Sequence, residues 1–134
     1  MNSLYNGISE RLFYTLGKRQ ETASSHDIYM ALCYAVRDQM MTYHVGTAVC
    51  NNEKEVAYLS AEFLIGPQLG NNLLNLGIEK EAQEALSEYD LTLRQVLDLA
   101  EEPGLCNGGL GRLAACYMES LASLKVPATG YGIR

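Results

Sequence analysis

The chain has 134 residues, 48% of them hydrophobic and 19% charged, a balance that suits one folded unit of modest size and excludes a disordered tail. Its 16 acidic and 10 basic residues give a net charge of -6 with no basic run, so nucleic acid is not an expected partner. The first residues lack the basic flank and apolar run of a signal peptide, and no window approaches the roughly 18 apolar residues of a membrane span, so a cytoplasmic protein with no membrane partner is expected.

Residues 1–8 carry little pattern, and Ser9 to about Gly17 has the Ser cap and glycine stop of a brief helix. Lys18 to Ser25 is polar and is expected to be a loop. From Ser25 as N-cap, with Asp27 in the first turn, a long helix is predicted to about Val49. Ile28, Leu32, Ala35, Val36, Met40 and Tyr43 recur along it at helical spacing and define its core face. Arg37 and Asp38 fall on other faces as solvated charges. His44 suits the negative end of the helix dipole, and an acid-base role is its other reading.

Asn51-Asn52-Glu53-Lys54 is turn chemistry, and Val56-Ala57-Tyr58-Leu59 is a short continuous apolar run. Such a run predicts a strand covered on both faces, as in the parallel sheet of an α/β protein. Ser60 and Glu62 then fall at the strand's C-terminal end, where open α/β sheets hold their ligands. Two roles are open to Glu62: orienting a hydroxyl or cation at a site, or pairing with an Arg across a domain seam. Gly66-Pro67 breaks the chain before a short helix, Leu69 to Leu76, stopped by Gly77. Asn71, Asn72 and Asn75 on it suit either sugar hydroxyls or capping and interhelical bonds. Two acidic amphipathic helices follow, Glu79 to Ser87 and Thr92 to Ala100, the second burying Leu93, Val96, Leu97 and Ala100.

Gly104-Leu-Cys-Asn-Gly-Gly-Leu-Gly-Arg112 is the most suggestive stretch. Its four glycines let a ligand approach the main chain closely, and the turn leads into a predicted helix from Leu110 to Leu124. Unpaired N–H groups and the positive dipole end of that helix would face whatever occupies the turn, which makes it a candidate anion cradle. A glycine connection needed only for tight packing is the other reading. Arg112 weighs against that second reading, because a cation in the first turn of a helix is disfavoured by about 0.3–1 kcal/mol unless an anion lies near. That anion is either a phosphate on the amides of Gly108, Gly109 and Leu110 or a carboxylate from elsewhere in the protein. Gly109-Leu-Gly111-Arg-Leu-Ala114 formally fits the dinucleotide fingerprint, but an acidic helix rather than a strand precedes it. No Gly-Lys-Ser/Thr follows the glycines, which excludes a Walker loop. Leu113, Cys116, Tyr117, Leu121 and Leu124 define the expected buried side of the helix, with Ala114 and Ala115 allowing close packing. A second strand is predicted from Thr129 to Arg134. Cys33, Cys50, Cys106 and Cys116 form no Cys-x-x-Cys pair and have no His at zinc-ligand spacing, so they are expected to be reduced and packed, with no metal bound.

Three strings carry a resemblance: Val56-Ala-Tyr-Leu-Ser-Ala-Glu-Phe-Leu-Ile-Gly-Pro-Gln-Leu-Gly-Asn-Asn-Leu-Leu-Asn-Leu-Gly77, Gly104-Leu-Cys-Asn-Gly-Gly-Leu-Gly-Arg-Leu-Ala-Ala-Cys116, and Gly130-Tyr-Gly-Ile-Arg134. In order and spacing, from about Leu12 onward, they resemble the N-terminal part of the α-glucan phosphorylases, the glycogen, starch and maltodextrin phosphorylase family, and its bacterial-type members above all. The resemblance implies a helix-rich α/β fold in which residues 1–134 are the first portion of the first of two Rossmann-like (GT-B-type) domains. The sheet would be incomplete and the second domain absent.

It also implies phosphorolysis of α-1,4-glucan ends by inorganic phosphate to glucose 1-phosphate, pyridoxal phosphate as cofactor, and a homodimeric parent. By resemblance, Gly108, Gly109 and Leu110 match the loop whose amides face the substrate phosphate and glucosyl unit, and Glu62 matches a carboxylate at the active-site edge. Leu64 stands where animal-type members have a Tyr beside the cofactor, and Cys106 where the pattern has Gly. A positive φ at Cys106 would strain the loop by about 1–2 kcal/mol. The Schiff-base lysine belongs to the family's later sequence, so this chain is not expected to be active alone. Phosphorylation control of the animal kind has no counterpart in Met1 to Gly17. The rival functions are a truncated module that binds glucan or a partner without catalysis, and a dinucleotide-binding module.

Overall fold

A computed structural model describes residues 3–48 and 54–133. The expected end of the long helix at Val49, Cys50, the turn residues Asn51, Asn52 and Glu53, and Arg134 lie outside the described residues. The chain divides into two compact units, one helical and one built around a small sheet, with the sheet unit drawn from two separate stretches of sequence.

The helical unit begins with α1, Ser3–Glu10, in the stretch where the sequence shows least pattern. Leu4, Ile8 and Leu12 recur every fourth residue and are fully buried, so burial rather than a cap signal sets this helix. A π turn, Arg11–Thr15, continues it, closed by the Leu16 N–H donating to the Arg11 carbonyl at 3.0 Å. The helix expected from Ser9 therefore starts earlier and changes winding part-way. The predicted loop Lys18 to Ser25 contains a single 3-10 turn, Gln20–Thr22.

Helix α2 spans Ser25–Ala48. Ser24, not Ser25, caps it: the Asp27 N–H donates to Ser24 Oγ at 3.2 Å, and the Asp27 carboxylate accepts the Ser24 N–H at 2.9 Å and its hydroxyl at 2.7 Å. This reciprocal box lowers the Asp27 carboxyl pKa, chiefly through the Ser24 backbone N–H and then its hydroxyl. Ile28, Leu32, Ala35 and Val36 are buried as expected, whereas Met40 is 39% and Tyr43 68% exposed. Among the described residues the neighbouring elements cover only the first half of the predicted stripe. Asp38 is not a lone solvated charge, since Arg11 Nε donates to its carboxylate at 2.7 Å.

Helix α3, Leu69–Leu76, ends where Gly77 turns left-handed at φ 70° and donates its N–H back to Leu73 and Leu74. Helix α4 is Glu79–Ser87. Helix α5, Leu93–Leu97, is shorter than predicted and opens on a capping box between Thr92 and Gln95. Leu69, Leu73, Ala82, Leu86 and Val96 join the α1 and α2 faces in one core, with Leu93 and Leu97 partly buried against it. Burial raises the Cys33 thiol pKa, and a hydrogen bond with Tyr29 opposes that shift.

In the sheet unit, β1 (Val56–Leu59) pairs in parallel with β2 (Ala128–Tyr131), in a register that sets Val56 against Ala128 and Leu59 against Tyr131. Between them in sequence, α6 (Gly109–Ser123) lies within the same unit and packs against β2. The parallel pairing matches expectation. Full burial of β1 does not, because Val56, Ala57 and Leu59 are exposed and only Tyr58 is half-buried. A two-stranded sheet has too little covering structure to enclose a strand.

The buried face of α6 also differs from the predicted one. Gly111, Ala114 and Ala115 are buried, while Leu113, Tyr117 and Leu124 are 49%, 51% and 73% exposed. The small residues let the helix approach its neighbours closely and leave the larger apolar side chains on the outer faces. Among the described residues, no helix is long and apolar enough to cross a membrane and no group of His, Cys, Asp and Glu is arranged to hold a metal ion.

Candidate functional site

The glycine turn is held by the segment that leaves β1. Phe63 and Leu105 form an antiparallel bridge, each donating its N–H to the other's carbonyl, at 3.0 and 3.1 Å. One residue on, the Leu64 N–H donates to the Gly111 carbonyl at 3.0 Å. These three bonds fasten both ends of the turn to the strand end where Glu62 sits.

The four glycines divide into two pairs. A Cβ on Gly104 would stand 2.8 Å from Leu64 Cδ1, and one on Gly111 would stand 2.9 Å from Cys106 Sγ and 3.3 Å from the Leu64 nitrogen. These two are glycines because the turn is packed against Cys106 and Leu64. A Cβ on Gly108 or Gly109 would meet nothing within 4 Å. Left-handed backbone explains none of the four, since φ values in the left-handed range among the described glycines are confined to Gly17, Gly66 and Gly77. Packing thus accounts for one pair, and an open approach to the main chain is what the other pair provides.

Gly108 is the N-cap of α6, with φ 170° and no side-chain cap. Gly109 and Leu110 follow as the first helical residues, whose N–H groups have no carbonyl within the helix to bond. Both are exposed. The Gly108 amide is less available, because it donates to Cys106 Sγ at 3.4 Å while the Cys106 thiol donates to the Gly108 carbonyl at 2.7 Å. Cys106 is half-buried and has no positive φ, so the strain considered for a side chain at this position is absent.

Glu62 is half-buried, and its backbone is fixed by Ser60, whose hydroxyl donates to the Glu62 carbonyl at 2.8 Å and accepts its N–H at 3.2 Å. Among the described residues the carboxylate makes no ion pair, and neither does the exposed guanidinium of Arg112. Phe63 is singled out by no local pattern of the sequence, yet the structure gives it a central place. Its ring meets Tyr58 at 6.1 Å between centroids, and Tyr58 in turn meets Tyr117 of α6 at 5.9 Å. The only available signal was the spacing of Gly130 and Gly132 far along the chain.

In the helical unit, Asn71 Nδ2 donates to Gln68 Oε1 at 3.3 Å, a bond at the start of α3, while Asn72 is half-buried and Asn75 exposed. His44 is exposed beside Met40, Tyr43, Asn75 and Leu76 in an open depression of about 540 Å³.

Comparison with known proteins bears on this arrangement. Residues 86–134, which include the whole glycine turn and α6, match the family model of carbohydrate phosphorylases. Across its full length the chain is 49% identical to a glycogen phosphorylase of Synechocystis, 44% to one of Pasteurella multocida and 39% to the muscle form of Bos taurus. Over its whole length the chain is similar to glycogen phosphorylases, and over residues 86–134 to the carbohydrate phosphorylase family. It covers 16%, 17% and 16% of those three relatives, so the chain spans about one sixth of their length.

Proposed function

We propose that this chain is the N-terminal segment of a pyridoxal-phosphate-dependent α-glucan phosphorylase, the opening portion of a two-domain, GT-B-type enzyme. In that reading the enzyme cleaves the ends of α-1,4-glucans with inorganic phosphate, releases glucose 1-phosphate, and works as a cytoplasmic homodimer. The segment's part is the clamp at the start of α6. The observation that carries this reading is the open pair Gly108 and Gly109, where side chains would meet nothing, beside Gly104 and Gly111, which pack closely against Leu64 and Cys106.

An anion brought to this opening meets the Gly109 and Leu110 amides and the positive end of the helix dipole. Such donors are fixed before the reaction begins, so they stabilise negative charge without reorganising. The Gly108 amide contributes less, since Cys106 sulfur already accepts it. Glu62 lies at the edge of the opening, positioned through its own backbone. Arg112 balances anionic charge nearby and stays outside the clamp.

The residues present suit the phosphate chemistry and not the aldehyde of the cofactor. The chain's lysines are Lys18, Lys54, Lys80 and Lys125, and none lies in the turn or the first turns of α6. None of them is therefore taken as the cofactor's lysine, and the segment alone is inferred to be inactive. The test is phosphorolysis by the complete protein that carries this segment: glucose 1-phosphate is expected from glucan and phosphate, and Gly109→Ala is expected to raise the phosphate KM by about 10- to 100-fold. A complete protein that fails to consume phosphate in the presence of glucan, or a Gly109→Ala variant with normal phosphate kinetics, would refute the reading.

A further inference from the structure

We propose that Phe63 is a positioning residue that sets the glycine turn through a wedge between its ring and the end of β2, an inference that rests on the phosphate-clamp reading of the turn. The backbone of Phe63 is bonded in both directions to Leu105, and its successor Leu64 is bonded to Gly111, so any displacement of Phe63 is passed to both ends of the turn. Its ring is fixed from the other side by two glycines. A Cβ on Gly130 would stand 3.3 Å from ring carbons Cε1 and Cζ, and one on Gly132 would stand 3.2 Å from Cδ2.

Neither glycine has a positive φ, so the ring is the reason the structure shows for a missing side chain at each. The alternation of Gly130 and Gly132 across Tyr131 places both on one face of the strand end, which is the face the ring occupies. Tyr58, directly opposite Gly130 in the register, adds an edge contact to the same ring. The sheet thus has a notch the width of one aromatic ring, and that ring belongs to the residue that anchors the turn. Phe63 touches no substrate in this arrangement. It acts through the main chain of Leu105 and Gly111 on the amides of Gly109 and Leu110.

The test uses the complete protein with the variants Gly132→Ala, Phe63→Leu and the double variant, and reads the phosphate KM, the glucan KM, the melting temperature, and hydrogen exchange at the Leu64 and Leu105 amides. An alanine at position 132 forces the ring aside by a few tenths of an ångström, and leucine at position 63 removes the wedge. Each single variant is expected to speed exchange at both amides and to raise the phosphate KM about tenfold, with the glucan KM and the melting temperature held. In the double variant the alanine is expected to add nothing, because the ring it displaces is gone.

Additive effects, unchanged exchange, or phosphate and glucan KM rising together with a lower melting temperature would each overturn the proposal. If the unsubstituted protein shows no phosphorolysis, the proposed function falls by itself. The exchange measurements then decide the wedge alone, and faster exchange in both single variants that is no faster in the double supports it.

Discussion

Substituting alanine at Gly111 and at Gly109 should act in opposite directions, although the two positions are two residues apart in one turn. At Gly111 the new Cβ would lie 2.9 Å from Cys106 Sγ, 3.0 Å from its Cβ and 3.3 Å from the Leu64 nitrogen. Two of the three neighbours are atoms held close to the main chain, so relief requires the turn to move. Overpacking of this kind costs about 1–3 kcal/mol, and the better helix propensity of alanine returns up to about 1 kcal/mol. The expected net loss is about 1–2 kcal/mol, equivalent to roughly 4–8 °C in melting temperature per kcal/mol for a small unit.

At Gly109 the Cβ meets nothing and φ is not positive, so alanine should stabilise by about 0.4–1 kcal/mol through the unfolded state. With no Trp in the sequence, unfolding is best followed by far-ultraviolet circular dichroism. Cys106→Gly in the Gly111→Ala background removes the two shortest contacts and should recover most of the loss. Equal destabilisation by the two alanines, or no recovery in the double variant, would refute the division of the glycines into a packed pair and an open pair.

Lys125 has φ 57° just beyond α6, so Lys125→Gly should gain up to about 1 kcal/mol in a denaturation midpoint, whereas an alanine there should gain nothing. The Arg11–Asp38 pair is 40% and 42% exposed at its side chains, so a double-mutant cycle should return less than about 1 kcal/mol of coupling and shrink with added salt. Asp27 has a lowered pKa in the folded chain, so its capping contribution is present above the unfolded value near 3.8 and is lost as pH falls through the folded one. Ser24→Ala should therefore lower stability at neutral pH and approach the parent chain in strong acid, which a pH series of denaturation curves would show. The Cys33 thiol behaves in the opposite sense: its raised pKa gives stability that is complete below the ordinary value of 9.0 and fades as pH rises through the folded value. Cys33→Ala should flatten that alkaline decline.

Helices whose ends are marked by local chemistry were legible from sequence. Gly77 and Ser87 end α3 and α4 where expected, and Thr92 caps α5, because caps and stops are written within a few residues. Helix α1 was missed since its signal is burial of Leu4 and Ile8 against helices that come later in the chain. Periodicity chose the wrong face of α6: both sides are apolar, and which one is covered depends on how near the sheet can come. The turn was recognised as the place where chemistry would gather, but a string of glycines does not say which of them faces a neighbour and which faces open space. Phe63 was invisible for the same reason, its partners Gly130 and Gly132 being brought to it only by the parallel pairing.

That pairing also governs the order in which the chain can fold. Strand β1 cannot find β2 until everything between Leu59 and Ala128 has been drawn in, a long closure with a large entropic barrier. Much of the intervening chain is α3, α4 and α5, which belong to the helical unit with α1 and α2 and are stabilised there without the sheet. Once those helices condense, the distance left to close is far shorter than the sequence suggests. The helical unit is therefore expected to form first and the glycine turn to be among the last parts ordered. Pulse-labelling hydrogen exchange during refolding should show protection at Leu32 and Leu86 before Leu64 and Leu105, and simultaneous protection would contradict this order.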